Sequence, residues 1–211
     1  SNAGVERAAK SIDESLRKLE TDYIDLLLIH QAFGDYYGTY RAMQKALEAG
    51  KVRAIGLSNF VDARFVDIVE NMEVKPAVLQ LETHVFSQQK RMHELMAPYG
   101  TRLMAWAPLA EGKNGIFTHP TLTAIGAKYG KTAAQTALRF LMAEDVIAIP
   151  KSVHRERLVE NFSIDDFELS AEDLDAIRAL DGGKPMFADF NDPTLAKFLL
   201  EYDAKFNPER Q

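Results

Sequence analysis

The 211-residue sequence has no cysteine, only one tryptophan, and no apolar stretch that approaches bilayer thickness. Without cysteine there is no disulfide framework and no thiolate metal site. Without a run of ~20 apolar residues, or a charged-then-apolar leader, neither a spanning helix nor a secretory signal is expected, and a cytoplasmic location is the default. Basic residues are outnumbered 25 to 31, the formal net charge is −6, and Lys and Arg form no dense stripe. Nucleic-acid and membrane-surface binding are therefore not expected. With 46% hydrophobic and 27% charged residues, the composition fits a soluble globular protein with a sizeable core.

What the chain does contain is a series of short aliphatic runs, each ending at residues able to bind or polarise something. Ile24 to Ile29 ends at His30, Val52 to Leu57 at Ser58 and Asn59, and Ala77 to Leu81 carries Gln80 and leads to Glu82. Arg102 to Ala105 ends at Trp106, and Val146 to Ile149 leads to Lys151 and Ser152. Runs of this length and composition read as parallel strands buried on both faces. The intervening stretches have helical spacing, as in Tyr40, Met43, Ala46, Leu47 and in Phe65, Ile68, Val69, Met72. Alternating strands and helices predict an α/β fold, and the polar strand ends favour a (β/α) barrel, whose function sits on the rim formed by the loops after the strands.

The first three residues, Ser1-Asn2-Ala3, look like the scar of a removed expression tag, which leaves residues 4–211 as a single domain with a C-terminal tail. From Gly4 to Leu19 the apolar positions follow a helical stripe, so the domain opens on a helix. Ser58-Asn59, taken alone, predicts an N-cap ahead of a helix over Val61 to Met72. Tyr36 and Tyr37 are expected in a loop from Gly34 to Gly38, and Ser170 to Leu180 reads as a capped helix.

Several motifs in order carry a resemblance to a known family: Leu28-Ile29-His30, Gly50 to Phe60 (GKVRAIGLSNF), Gln80-Leu81-Glu82-Thr83-His84, Ala105-Trp106-Ala107-Pro108-Leu109, and Ile149-Pro150-Lys151-Ser152-Val153. From about Gly4 to Leu180 the chain resembles the aldo-keto reductases. The resemblance implies a (β/α)8 barrel present here in part, as strands four to eight. It also implies reduction of a small aldehyde or ketone by hydride from NADPH. In that chemistry a tyrosine whose ordinary pKa is ~10 gives a proton to the forming alkoxide, helped by a neighbouring cation.

Of the family's catalytic residues only the histidine has a counterpart, His30. The aspartate, tyrosine and lysine belong to strands with no match in this sequence, and Tyr23, Tyr36, Tyr37 and Lys51 do not match them by position. The resemblance assigns Ser58, Asn59 and Gln80 to the nicotinamide carboxamide, which both donates and accepts hydrogen bonds. Trp106 corresponds to the aromatic that stacks on the nicotinamide ring. The loop Leu109-Ala110-Glu111-Gly112-Lys113-Asn114 resembles the one that folds over the pyrophosphate, and Ala107 and Pro108 just before it are counted with the cofactor-binding residues. Lys151, Ser152, Val153, Arg157, Glu160 and Asn161 resemble the adenosine site, where Lys151 and Arg157 would carry charge to the 2′-phosphate and favour NADPH over NADH. A helix beginning near His154 would add its positive end.

Each residue also has a plainer reading. A histidine after an aliphatic strand is commonly a satisfied rim residue, a lone tryptophan packs a core, and Lys151 and Arg157 alone would be solvated charges. His84, His93, His119 and His154 have no metal-ligand spacing and receive no role. Two departures stand out: Val85 follows His84 where the family commonly has proline, and Gln31-Ala32-Phe33 follows His30 where many relatives carry tryptophan or proline. A five-stranded arc would leave edges beside Ile24 to Ile29 and Val146 to Ile149, each wet aliphatic side chain costing ~1.5–3 kcal/mol. Either homo-oligomerisation through those edges or filling of the gap by the flanking helix or the C-terminal tail is therefore expected, as is weak or no activity of the chain by itself. The alternative is a catalytically dead remnant that binds a nucleotide or another protein.

Overall fold

The structure is a computed structural model that describes residues 3–206. Ser1 and Asn2 of the expected tag scar lie outside the described residues. In chain order the elements are α1 (Val5–Leu19), β1 (Ile24–Ile29), α2 (Tyr36–Glu48), β2 (Val52–Ser58), α3 (Ala63–Asn71), β3 (Val78–Glu82) and α4 (Lys90–Met96). They continue with β4 (Arg102–Trp106), α5 (Pro120–Tyr129), α6 (Ala133–Ala143), β5 (Ile147–Ala148), α7 (Arg155–Phe162), α8 (Ala171–Arg178) and α9 (Pro193–Phe206). The strands form a five-stranded parallel sheet in the order β1-β2-β3-β4-β5. The chain divides into two compact units, one of Ser1–Gln80, Leu95–Thr101 and Ala188–Gln211, the other of Leu81–Glu94 and Arg102–Phe187.

In the first unit, β1 and β2 pair from Ile24↔Val52 to Ile29↔Leu57, and β2 continues onto β3 through Gly56↔Val78 and Ser58↔Gln80. Gly56 makes that packing possible: a Cβ there would lie 2.7 Å from the Val78 carbonyl oxygen and equally close to side-chain atoms of Leu28 and Val78. Ile55, Leu57, Phe60, Phe65 and Leu79 build the core. Buried Tyr40 keeps its hydroxyl satisfied by donating to the Val74 carbonyl at 3.0 Å. Strand β1 is less covered. Only Ile29 is buried, while Leu26, Leu27 and Leu28 are half-buried.

Two expectations are corrected here. Tyr36 and Tyr37 are the first residues of α2, not part of a Gly34 to Gly38 loop, because Asp35 acts as its N-cap and accepts from the Gly38 N–H at 2.7 Å. Ser58 and Asn59 do not cap the next helix. Asp62 stands at the N-cap of α3 without a side-chain cap bond, and the Asn59 amide is turned to other partners.

In the second unit, β4 buries Leu103, Met104 and Ala105 and pairs with β5 through Met104↔Ile147 and Ala105↔Ala148. Strand β5 is shorter than the expected Val146 to Ile149, since the Val146 N–H goes back to the Leu141 carbonyl at 2.9 Å. Pro150 has no N–H with which to prolong the ladder. Helices α5 and α6 meet at Gly126, where a Cβ would lie 2.4 Å from the Lys131 carbonyl oxygen. Thr132 and Gln135 form a reciprocal capping box at the start of α6. Helix α8 begins as expected at Ser170, whose Oγ accepts from the Asp173 N–H at 3.2 Å. The Asp173 carboxylate, 2% exposed, accepts from Lys128 and from the Tyr129 hydroxyl. No helix among the described residues is long and apolar enough to cross a membrane.

Candidate active site

Strand ends in the first unit bring together His30, Ser58, Asn59 and Gln80. Parallel pairing aligns the ends of β1, β2 and β3, so residues just past them fall on one side of the sheet. Asn59 takes a left-handed backbone (φ 62), which asparagine tolerates better than most side chains. That turn lets its N–H donate to the Gln80 carbonyl at 3.0 Å and its Nδ2 donate to the His30 carbonyl at 3.1 Å. The His30 side chain is exposed, Gln80 is half-buried, and Ser58 and Asn59 are 1% and 3% exposed. Although fully enclosed, the Ser58 Oγ has no hydrogen-bond partner among the described residues. Leaving a buried hydroxyl unpaired costs about 1–3 kcal/mol, so this is the one conspicuous unmet polar group in the cluster.

Residues of the C-terminal tail reach the same loops within this unit. The Arg64 guanidinium donates to the Phe190 carbonyl at 2.6 Å and lies 5.2 Å from the Phe33 ring centroid, while Asn191 Nδ2 donates to Asp62 at 2.8 Å. The tyrosines and lysine that do not match the family's acid are engaged elsewhere. Arg53 covers the Tyr23 ring at 3.7 Å, and Lys51 pairs with Asp13 at 2.6 Å. Burial, then the Asp67 carboxylate 2.6 Å from its hydroxyl, push the Tyr37 pKa up to about 12, the direction opposite to that wanted in a proton donor.

The second unit holds the remaining candidates. Trp106 ends β4, its carbonyl accepts from the Thr83 N–H at 3.2 Å, and its ring lies 5.9 Å from that of Phe187, tilted by 49°. The chain after it is unusually curled. Ala107, Ala110, Glu111, Gly112, Asn114 and Gly115 all have φ between 48° and 75°. A 3-10 turn, Ala110–Gly112, lies inside this stretch, with Pro108 and Ala110 buried, Leu109 partly covered and Glu111 exposed. Such left-handed turns aim successive N–H groups in common directions and suit anions.

Along the next segment, Lys151, Val153 and Arg157 are exposed and Ser152 Oγ accepts from the His154 N–H at 3.1 Å. Helix α7 then begins after His154, as the sequence predicts, with no side-chain cap. Glu160 is already engaged: its carboxylate accepts from the Thr132 hydroxyl at 2.6 Å and its carbonyl from Gln135 at 3.2 Å. Asn161 lines an apolar cleft of about 520 Å³ together with Ile147, Ala148, Leu158 and Phe162.

The sequence marks Glu82 as a polar strand end and gives His84 no role, but it does not foresee their pairing. Glu82 and His84, 3% and 0% exposed, form a buried pair at 3.2 Å, and Glu82 also accepts the backbone N–H groups of Met186 and Phe187. Burial raises the Glu82 pKa, but the His84 hydrogen bond and the two amides outweigh it and hold the carboxyl below its ordinary value. The sequence signal was a carboxylate at the buried end of an aliphatic strand. Among the described residues no group of acidic and histidine side chains is arranged to hold a metal ion.

With this geometry in place, comparison identifies the family. The model of the Aldo/keto reductase family matches residues 2–182, and the chain belongs to that family. It is 40% identical over 178 residues to the glyoxal reductase of Bacillus subtilis (strain 168), covering 84% of this chain and 64% of that protein. Among solved structures it superposes with a TM-score of 0.87 on MGS-M4, an aldo-keto reductase enzyme from a Medee basin deep-sea metagenome library, at 38% identity over 90% of this chain and 71% of that one. Gox0644, solved as a variant in complex with NADPH, matches at a TM-score of 0.84 and 33% identity, over 89% and 70%. The chain therefore spans under two thirds of the length of the Bacillus relative.

Proposed function

We propose that this chain carries the cofactor-binding part of a cytoplasmic, NADPH-dependent aldo-keto reductase acting on a small aldehyde or ketone. Its strands β1 to β5 are read as strands four to eight of a (β/α)8 barrel. The observation that carries the proposal is the unpaired Ser58 hydroxyl, buried beside Asn59 and across from Gln80. A carboxamide, which donates and accepts at once, answers that set of groups. NADPH supplies the hydride when bound. Ser58, Asn59 and Gln80 would hold its amide, Trp106 would present a flat face to its ring, and the curled loop Leu109 to Asn114, with Ala107 and Pro108 before it, would meet its pyrophosphate.

Lys151 and Arg157, exposed and close to the start of α7, would read the 2′-phosphate, with Ser152, Val153, Glu160 and Asn161 beside the adenosine. His30 would orient the carbonyl from the end of β1. The aspartate, tyrosine and lysine that complete the family's proton delivery would come from strands this sequence does not contain. Loss of a general acid typically costs ~10²–10⁴ in rate, so the chain by itself is expected to bind cofactor and turn over little. The Bacillus relative's name points to a two-carbon dicarbonyl as the first substrate to try. The half-buried Leu26, Leu27 and Leu28 of β1 and the exposed Ile149 beyond β5 support association through these strands into a homo-oligomer.

Fluorescence titration tests the reading. NADPH should bind the chain saturably, and Ser58→Ala should weaken that binding without lowering the melting temperature. Absence of saturable binding to the intact chain would overturn the cofactor reading and leave the interaction-module alternative.

A further inference from the structure

We infer that Glu82 is a positioning residue for Trp106: it clamps Met186 and Phe187 so that the Phe187 ring lies against the indole. The inference rests on the cofactor role proposed for Trp106 only for its functional meaning; the clamp itself stands on contacts within the second unit.

Those contacts converge on one carboxylate. Glu82 Oε1 accepts from the Met186 N–H and Oε2 from the Phe187 N–H at 3.0 Å, so both oxygens are committed to a segment more than one hundred positions along the chain. His84 fixes the carboxylate in turn. Its Nδ1 accepts from the Phe86 N–H at 3.2 Å, which assigns the ring proton to Nε2, where it donates to Glu82 Oε1 at 3.2 Å. The Gln89 amide donates to the Glu82 carbonyl at 2.7 Å and steadies the backbone beneath.

The clamped segment is then pressed on what surrounds Trp106. The Phe187 ring lies 5.9 Å from the indole and 6.0 Å from the His84 ring, the second contact edge-on at 89°. Lys113 Nζ sits 4.4 Å from the Phe187 centroid, and Asn114 Nδ2 donates to Met186 Sδ at 3.4 Å. Met186 and Phe187 thereby also touch the curled stretch assigned to the pyrophosphate. A buried carboxylate gripping two consecutive amides is a stiff device, because each bond is charge-assisted and releasing either leaves the charge underpaired. Its consequence is a fixed tilt of the ring on which nicotinamide would stack.

The single tryptophan makes the clamp directly readable in the intact chain. In the unmodified protein the Met186 and Phe187 amides should exchange slowly with solvent deuterium. In Glu82→Gln, where one carboxylate oxygen becomes an N–H donor, they should exchange about tenfold faster or more. Acrylamide quenching of Trp106 should increase in Glu82→Gln toward the value of Phe187→Ala, and the double variant should show no more quenching than Phe187→Ala. Rapid exchange of both amides in the unmodified chain, which needs no variant to fold, would overturn the clamp. So would equal indole quenching in Glu82→Gln and the parent at unchanged circular dichroism. If the clamp behaves as expected but saturating NADPH leaves Trp106 emission unmoved, the positioning device stands and the cofactor reading fails.

Discussion

The amide cluster of the first unit and the basic segment of the second are built on opposite plans. Ser58 and Asn59 are buried at the ends of paired strands, and Asn59 is held by its backbone N–H bond to the Gln80 carbonyl and its side-chain bond to the His30 carbonyl. Lys151, Val153 and Arg157 stand exposed, and Val153 is 75% accessible. A neutral amide offers only short-range, directional contacts, so recognising it demands groups fixed in place. A phosphate can be held by long cationic side chains that order around it, at the expense of sensitivity to salt. On the proposed cofactor reading, the first region would be specific by geometry and the second by charge.

Lowering the pH should separate the two units most strongly. Glu82 and Asp173 in the second unit both titrate below their ordinary values of 4.5 and 3.8, because His84 and backbone amides stabilise the first and Lys128 and Tyr129 the second. A carboxylate with a depressed folded-state pKa adds stability above its unfolded value and loses it as the pH falls through the folded one. Among the described residues the first unit buries no carboxylate. Hydrogen exchange measured from about pH 6 down to about pH 3 should therefore show protection failing first in the second unit. Simultaneous loss would remove this distinction.

The double variant Lys151→Ala with Arg157→Ala should weaken NADPH binding about 100-fold and leave NADH nearly untouched. NADPH binding should also fall with added salt. Equal loss for both cofactors would mean that these cations do not read the 2′-phosphate. At the amide cluster, Asn59→Ala should lower stability by about 2 kcal/mol, combining left-handed strain with a lost hydrogen bond. Asn59→Gly should recover the strain component, which chemical denaturation can resolve. The smallest effect belongs to Ser58→Ala. Its hydroxyl has no partner among the described residues, so stability should stay within about 0.5 kcal/mol or rise while NADPH affinity falls several-fold.

Much of this organisation was legible in the sequence. The first aliphatic run gave β1 residue for residue, and the run at Val52 gave β2 to within one position; full burial explains the apolar residues of β2, whereas β1 is equally aliphatic but mostly half-buried. The Val146 run misled, as helix α6 claims the first N–H and proline ends the ladder. Tyr36-Tyr37-Gly38 resembled a turn because glycine dominated the reading, although Asp35 was a visible capping signal. Ser58-Asn59 looked like a cap and is instead a left-handed turn; composition cannot reveal the sign of φ. The Glu82 clamp was hidden for a different reason. Its partners are 104 and 105 positions away, and their contribution is backbone N–H, which carries no sequence signature.

Position 59 also narrows what mutation can do to this protein. The left-handed backbone there favours asparagine, aspartate or glycine, and the bond to the His30 carbonyl requires an N–H donor on the side chain. Aspartate has no donor and glycine no side chain, while glutamine, which takes a left-handed backbone at Gln89, carries its amide one carbon farther out. Few amino acids meet both demands as well as asparagine, so codon changes at this place should be tolerated less than at most other exits from the sheet.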